Sequence, residues 1–362
     1  MGFLTPLYPI IMDTFGLSLS LVGAVSMVAA LGSALSQPFF GMLFDRFGVA
    51  ASLYLAPLLT GLLVSCLGIA PSFPVFLVLL CLGCLGSAAF HPKGASVTPT
   101  LSGGHPEVGM AVFSAGGNLG YAAGPAVIAY FVSTWGFHAT PILAVPAALV
   151  AGSLALLLPV DELRRRSART TRMSLRGLLA NRRDLAMLMR LVFINFCLTV
   201  SVRGLSTFLP VYMAQHGFRV TSIGVLFTGM LALGALASVF VSTLSHRTGK
   251  RSLILISIAA GAPLAVTGYL FFPSPTGTIL IVAAGTVLTF SNPLLILMAQ
   301  KHSGNSPAMA SSLIMGFSWG LAGLAMVPLG ALGEALGMPV MMGIAGGIPL
   351  LSVVACLRIP RD

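Results

Sequence analysis

Long apolar runs fill this chain on both sides of a single basic stretch. A helix needs about 20 mostly apolar residues to cross the hydrocarbon core of a bilayer, and runs of that size recur along the sequence. The composition agrees, because 57% of residues are hydrophobic and 7% are charged, against about 45–50% and about 25% in soluble domains. The sequence therefore predicts an all-α membrane protein. We number its twelve predicted spans in chain order: 1–12, 19–40, 50–69, 74–98, 108–132, 137–158, 187–213, 221–244, 252–272, 276–299, 308–332 and 338–357.

The basic stretch, residues 159–186, divides the chain into a predicted N-terminal helix bundle, 1–158, and a C-terminal helix bundle, 187–362. It holds eight of the nineteen Lys and Arg residues. Basic loops face the cytoplasm in membrane proteins, so we expect this stretch and the C-terminus to be cytoplasmic, in the inner (plasma) membrane. The alternating spans then place seven more basic residues on that side and leave only Arg219 opposite: Arg46, Arg247, Lys250, Arg251, Lys301, Arg358 and Arg361. The net charge of +11 is thus interpreted as an orientation signal and not as a nucleic-acid surface, since the basic stretch lacks interleaved aromatic residues.

The two halves carry traces of an internal repeat. Residues 41–48 join spans two and three, and residues 242–249 join spans eight and nine at the same spacing. Tyr8 pairs in the same way with Tyr212. The repeat predicts two six-helix bundles related by a pseudo-two-fold axis. It also predicts that the first helix is truncated, because the counterpart of span seven would begin ahead of Met1; a late start or a shortened sequence would explain this.

The loop between spans two and three is the most specific motif in the chain. Gly41, Asp45, Arg46 and Gly48 follow the Gly-x-Leu-x-Asp-Arg-x-Gly pattern, and the sequence here resembles the major facilitator superfamily. The resemblance, which extends over essentially the whole chain, implies a secondary transporter and a conformational latch at this loop, with Arg247 as its counterpart in the second half. Physically, the glycine lets two helices approach closely and the charges can pair with helix ends. The alternative is a tight turn in which Arg46 only anchors the topology.

Span five carries a second family-like pattern. Gly120, Gly124 and Pro125 belong to a glycine-rich segment that resembles the antiporter motif of the superfamily, where glycines allow tight packing and the Gly-Pro pair bends the helix. Ordinary packing of small residues is the alternative. Asn118 and Tyr121 share one face of this helix, as expected of a cavity wall.

Three short segments resemble the fosmidomycin-resistance-type branch of the superfamily. They contain Gln37 in span two, His91 in span four and Trp319 in span eleven, and we assign all three to the substrate cavity. The branch has His-Pro-Glu where this chain has His-Pro-Lys, so Lys93 departs from the pattern. His91 is the predicted proton carrier, because histidine titrates near neutral pH. The alternative for Lys93 is that the helix ends nearby and the ammonium extends to the cytoplasmic surface.

Span seven supplies the strongest evidence for a binding site. Asn195, Thr199, Arg203 and Thr207 recur every four residues and form one polar stripe on a helix. Placing a guanidinium at the middle of the bilayer costs about 2.5–3.5 kcal/mol of free energy on insertion scales. Arg203 therefore requires an acidic partner, an anionic ligand or water beside it. The alternative is a structural arginine bound to backbone carbonyls. Six acidic residues lie at predicted helix ends or in loops, which favours an anionic or polar neutral substrate: Asp45, Glu107, Asp161, Glu162, Asp184 and Glu334.

Taken together, these features predict a transporter of small molecules that works by alternating access, and not an enzyme. The resemblance implies a proton-coupled efflux antiporter of drugs or metabolites, acting as a monomer. No cofactor or metal site is expected, because no cluster of potential ligands has metal-binding spacing; Cys81 and Cys84 lie inside a span with no second pair. Two alternatives stay open at this point: an integral-membrane enzyme, and a truncated relative that no longer transports.

Overall fold

A computed structural model describes residues 2–36, 39–40, 52–102, 105–159, 182–302, 310–311 and 313–360. All regular secondary structure in these ranges is helical, with no strand among them. The chain forms two compact units. Unit 1 comprises Met1–Met27, Tyr121–Tyr130 and Met173–Asp362, and unit 2 comprises Val28–Gly120 and Phe131–Arg172. The division of the chain into bundles at 159–186 stays a prediction.

The first six spans are helical over the described residues. Span one is a 3-10 segment, Gly2–Leu7, followed by an α-helix, Tyr8–Phe15. The helices of spans two to six, with their 3-10 and π-helical extensions, are Leu19–Ala30 with Leu31–Leu35, Ser52–Ser65 with Cys66–Ile69, Phe73–Leu101, Pro106–Trp135, and Phe137–Leu143 with Ala144–Leu157. Span four therefore continues to Leu101, as the predicted range 74–98 requires, and the alternative in which the helix ends near His91-Pro92-Lys93 is wrong.

Spans seven to nine are long continuous helices, whereas spans ten to twelve are interrupted. Span ten breaks at Phe290 and Ser291, just before Pro293, whose ring cannot donate a helical hydrogen bond. The helices of spans seven to twelve are Arg182–Gln215, Val220–Thr248, Lys250–Phe271, Pro275–Thr289 with Asn292–Lys301, Leu313–Phe317 with Ser318–Leu324 and Met326–Leu336, and Met338–Gly347 with Ile348–Ser352 and Val353–Leu357.

Nine of the described helices are long and apolar enough to cross a membrane, and they correspond to spans three, four and six to twelve. Span two is shorter within the described residues, at Leu19–Ala34. Span five is a helix of 30 residues that is absent from the nine. The prediction of an all-α membrane protein is confirmed.

The core of unit 1 is built around span seven. Large side chains from spans seven, nine and ten are fully buried against one another, among them Leu188, Ile194, Ile254, Leu294 and Leu295. Phe208, one of the largest fully buried side chains, lies further along span seven. Span seven is thereby packed against several neighbouring helices.

Polar contacts tie one end of unit 1 together. Asp184, near the start of span seven, lies 3.0 Å from the Nδ1 atom of His302, at the end of span ten. Arg190 donates a hydrogen bond to the carbonyl of Arg358 over 3.3 Å. The start of span seven and the ends of spans ten and twelve are therefore at the same end, as the predicted alternation of spans requires.

Candidate functional site

Arg203 in span seven is a partly buried cation with an unsatisfied donor. Its Nε atom is buried and has no hydrogen-bond partner among the residues that the structure describes. A buried donor of a charged group that lacks a partner is costly. The side chain can therefore donate a further hydrogen bond to an acceptor, because a guanidinium has donors but no acceptor.

Two tyrosines act electrostatically on this guanidinium. Within the described residues, the side chains that interact electrostatically with Arg203 are the phenols of Tyr8 in span one and Tyr121 in span five, and neither is a carboxylate. Tyr8 is buried, whereas Tyr121 has 44% of its surface exposed. All three residues belong to unit 1. The cluster thus presents hydrogen-bond donors around a positive charge, which suits an oxygen-rich or anionic ligand.

Two buried hydroxyl groups, those of Ser26 and Thr207, interact with Tyr8. Thr207 Oγ1 donates to Ser26 Oγ over 2.9 Å, and both side chains interact with the phenol of Tyr8. Thr207 follows Arg203 by one helical turn. The same face of span seven therefore carries the guanidinium of Arg203 and the hydroxyl that interacts with Tyr8. We call Tyr8, Ser26, Tyr121, Arg203 and Thr207 the Arg203 cluster.

The remaining members of the polar stripe have different surroundings. Asn195 is 1% exposed and donates from Nδ2 to the carbonyl of Ile314 in span eleven over 2.7 Å. Its Oδ1 atom is buried without a partner among the described residues. Thr199 is partly buried, as is Trp319 in span eleven. In this conformation the amide of Asn195 therefore ties two helices together.

His91 and Asn118 lie in unit 2, and both side chains are exposed. The ring of His91 meets that of Phe90 edge to face, with centroids 5.9 Å apart. Lys93 lies in the same helix and is 3% exposed. Its burial does not agree with an ammonium that extends to the membrane surface.

The glycines of span five differ in what surrounds them. A methyl group added at Gly120 would meet no atom within 4 Å, and one at Gly124 would lie 3.6 Å from the backbone nitrogen of Phe3. Pro125 lies inside the helix and is buried. Its carbonyl would be 2.6 Å from a methyl group on Gly224 of span eight, so the closest approach in this region depends on the glycine of the opposing helix.

Several predicted residues lie outside the described ranges: Gln37, Gly41, Asp45, Arg46 and Gly48. Arg247, their expected counterpart in the second half, is exposed in the last turn of span eight. The latch therefore stays a prediction. The described residues also contain no group of three or more His, Cys, Asp or Glu side chains arranged to hold a metal ion.

Sequence reasoning missed Tyr8 and Ser26 as members of the cluster. The pairing of Tyr8 with Tyr212 in the repeat marked Tyr8 as a position of interest. It did not indicate that Tyr8 belongs to the same cluster as Arg203. Ser26 is a single hydroxyl in an apolar helix, and nothing in its sequence context distinguishes it from a serine that bonds to its own backbone.

The model of the Major Facilitator Superfamily matches residues 1–327. One relative is the fosmidomycin resistance protein of Escherichia coli (strain K12), 25% identical over 359 residues that cover 96% of this chain and 86% of that protein. Another is the uncharacterized MFS-type transporter YfnC of Bacillus subtilis (strain 168), 27% identical over 375 residues that cover 98% and 88%.

Solved transporter structures share the fold. The nucleoside transporter NupG matches with a TM-score of 0.73 at 15% identity, covering 98% of this chain and 94% of that one. A bacterial homolog of the human lysosomal transporter Spinster, in an inward-facing and occupied conformation, matches with a TM-score of 0.70 at 16% identity, covering 98% and 92%. The matched family consists of transporters, which sets the membrane-enzyme alternative aside. The chain belongs to the Major Facilitator Superfamily and is a membrane transporter of small molecules that works by alternating access.

Proposed function

We propose that the protein is a proton-coupled efflux antiporter that binds an anionic or polar small molecule at Arg203. The observation that carries this proposal is the buried, unpartnered Nε of Arg203 beside the phenols of Tyr8 and Tyr121, as seen within the described residues. Intramembrane charges mark substrate or ion pathways. An anionic ligand at this position would supply the missing acceptor and offset the cost of burying the charge.

The direction of transport is argued from a relative. One relative of similar length is called a fosmidomycin resistance protein, and a transporter lowers the internal concentration of a drug by moving it outward. The glycine-rich segment of span five, which includes Gly120, Gly124 and Pro125, supports antiport by its resemblance to the family motif.

The proton is assigned to His91. His91 lies within predicted span four, directly before Pro92. Its imidazole can gain and lose a proton near neutral pH. Asn118, Thr199, Gln37 and Trp319 complete the proposed substrate-binding set. The loop residues Asp45 and Arg46 are proposed to latch one conformation, and replacing Asp45 by Asn should alter the conformational balance more than substrate affinity.

The test is transport in inside-out vesicles with an imposed proton gradient, using fosmidomycin as the first probe and a panel of small anions next. Wild-type protein should accumulate the probe. Arg203→Ala should reduce accumulation at least tenfold at equal protein level, whereas Arg219→Ala, which removes an exposed loop arginine, should not.

His91→Gln tests the coupling separately. It should abolish the dependence of transport on the proton gradient while leaving exchange of the probe down its own gradient. Unchanged accumulation in Arg203→Ala would remove the site assignment, and unchanged gradient dependence in His91→Gln would remove the proton assignment.

A further inference from the structure

A carboxylate at the end of span eleven caps the beginning of span two. Glu334 Oε1 accepts a hydrogen bond from the backbone N–H of Ser20 over 2.7 Å, across 314 positions of sequence. The hydroxyls of Ser18 and Ser20 also interact with this carboxylate. The first N–H groups of a helix have no partner within the helix, and a negative charge there is stabilised by the helix dipole. The start of span two is thus capped twice: Ser18 Oγ accepts a hydrogen bond from the backbone N–H of Leu21 over 3.4 Å, and Glu334 of span eleven adds a charged acceptor for Ser20.

The two helices touch through their backbones beside this cap. A methyl group built on Gly330 would collide with the carbonyl of Leu19, and one on Gly23 with the carbonyl of Met326. Met326, Gly330 and Glu334 are spaced by four residues and share one face of span eleven. Backbone contact of this kind brings the carboxylate within reach of the helix start without any intervening side chain.

All of these residues belong to unit 1, yet spans two and eleven come from different halves of the sequence. The contact lies at the end of the spans marked by the turn at Gly16 and the turn at Gly337, which the charge distribution predicts to face outward. We call it the outer end. A transporter that exposes its site to each side in turn must separate helices of the two halves at this end.

We propose that Glu334 is a latch that holds the outer end closed by capping span two, and that its release accompanies outward opening. This inference rests on the proposed movement of the two halves in the transport cycle. The groups that act on the carboxylate in the described residues are the backbone N–H and the hydroxyls of Ser18 and Ser20, with no charged side chain among them. The proposed latch at Glu334 is therefore a contact between a carboxylate and the N-terminus of a helix, and not an ion pair.

This chemistry predicts a graded series of variants. Glu334→Gln keeps an oxygen acceptor for Ser20 but loses the charge, whereas Glu334→Ala loses both. Asp13→Ala is the matched control, because Asp13 is an exposed carboxylate near the end of span one. Neither carboxylate is buried, so the variants should fold.

The experiment measures the distance between spin labels on the outer ends of spans two and eleven in lipid nanodiscs. Leu21→Cys and Leu336→Cys provide exposed positions, with the partly buried Cys66 and Cys81 replaced by serine. Glu334→Ala should raise the ratio of long-distance to short-distance populations about two- to fivefold, the effect of losing a charge at an exposed helix end. Glu334→Gln should raise it less, and Asp13→Ala should leave it unchanged.

Gly330→Ala shows that the labels report opening, since its methyl group would push the two backbones apart whatever residue occupies position 334. A distance distribution in Glu334→Ala equal to that of wild type overturns the latch, whether or not Gly330→Ala shifts the labels. Failure of the proposed function is distinguishable, because it would show as absent transport by wild-type protein, while the label distances would still respond to Glu334→Ala.

Discussion

Asn195 in span seven donates its side-chain amide to the carbonyl of Ile314 in span eleven over 2.7 Å, in a fully buried position. Ile314 lies in a π-helical segment, Leu313–Phe317, where the regular pattern of helix hydrogen bonds is interrupted. Ser318, one turn further along, donates to the carbonyl of Val192 in span seven over 3.3 Å. The π segment is thus held by polar groups of a neighbouring helix.

Replacing Asn195 by Ala should lower the free energy of unfolding by about 1–2 kcal/mol, because the carbonyl of Ile314 would lose its partner in apolar surroundings. Thermal unfolding in detergent measures the change. Thr199→Val is the control, since Thr199 lies one turn along the same helix and is only partly buried. If Asn195→Ala unfolds at the same temperature as wild type, the amide does not stabilise the pair of helices.

The same residue shows how far sequence reasoning reached. Spacing of four residues placed Asn195, Arg203 and Thr207 on one face of span seven, because a helix repeats every 3.6 residues. Spacing does not say which helix that face meets. Asn195 meets span eleven, while Thr207 meets Ser26 of span two. These neighbours are set by packing between segments more than a hundred residues apart.

The spans were predictable, whereas their interruptions were not. Hydropathy locates spans because the bilayer demands a long apolar helix. The break of span ten at Phe290 and Ser291 depends on tertiary partners: Ser291 donates to Ser257 over 3.2 Å, and Ser257 donates to the carbonyl of Val287 over 2.7 Å. These hydroxyl contacts have no counterpart in the local sequence.

Removing the hydroxyl group of Tyr8 should weaken substrate binding more than it lowers the stability of the fold. Tyr8→Phe keeps the buried ring but removes the hydroxyl near Arg203. We expect the apparent KM for the transported probe to rise about three- to tenfold, the equivalent of one hydrogen bond of about 0.5–1.5 kcal/mol. The measurement is initial-rate transport over a range of probe concentrations.

Tyr212→Phe is the matched control for Tyr8, because Tyr212 is its counterpart in the repeat. Its ring packs against His216 and Phe272, with centroids 4.5 and 5.1 Å away, and these contacts survive in phenylalanine. Equal KM values for wild type and Tyr8→Phe, or an equal rise in both variants, would contradict a specific role of the Tyr8 hydroxyl.

The orientation in the membrane is tested by the accessibility of single cysteines. Gln215→Cys lies in an exposed position at the end of span seven, and Ser174→Cys lies in the basic stretch of the sequence. If that stretch is cytoplasmic, a membrane-impermeant maleimide should label Gln215→Cys in intact cells and Ser174→Cys only after the membrane is opened. The reverse pattern would show that the basic residues do not orient the protein as predicted.

Two glycines of span eight provide a matched test of helix packing against span five. A methyl group on Gly224 would lie 2.5 Å from the Cβ atom of Ala129 and 2.6 Å from the carbonyl of Pro125, whereas one on Gly229 would meet no atom within 4 Å. Between them, Thr228 Oγ1 accepts a hydrogen bond from the backbone N–H of Ala126 over 3.0 Å, so separating the helices would also break this bond.

Gly224→Ala should therefore lower the free energy of unfolding by about 1–3 kcal/mol, the usual cost of overpacking. Gly229→Ala should raise it by up to about 1 kcal/mol, because alanine favours the helix. Thermal unfolding of both variants in the same detergent measures the difference. Because the substitutions are chemically identical and lie on one helix, an equal effect of the two would show that spans five and eight do not pack this closely.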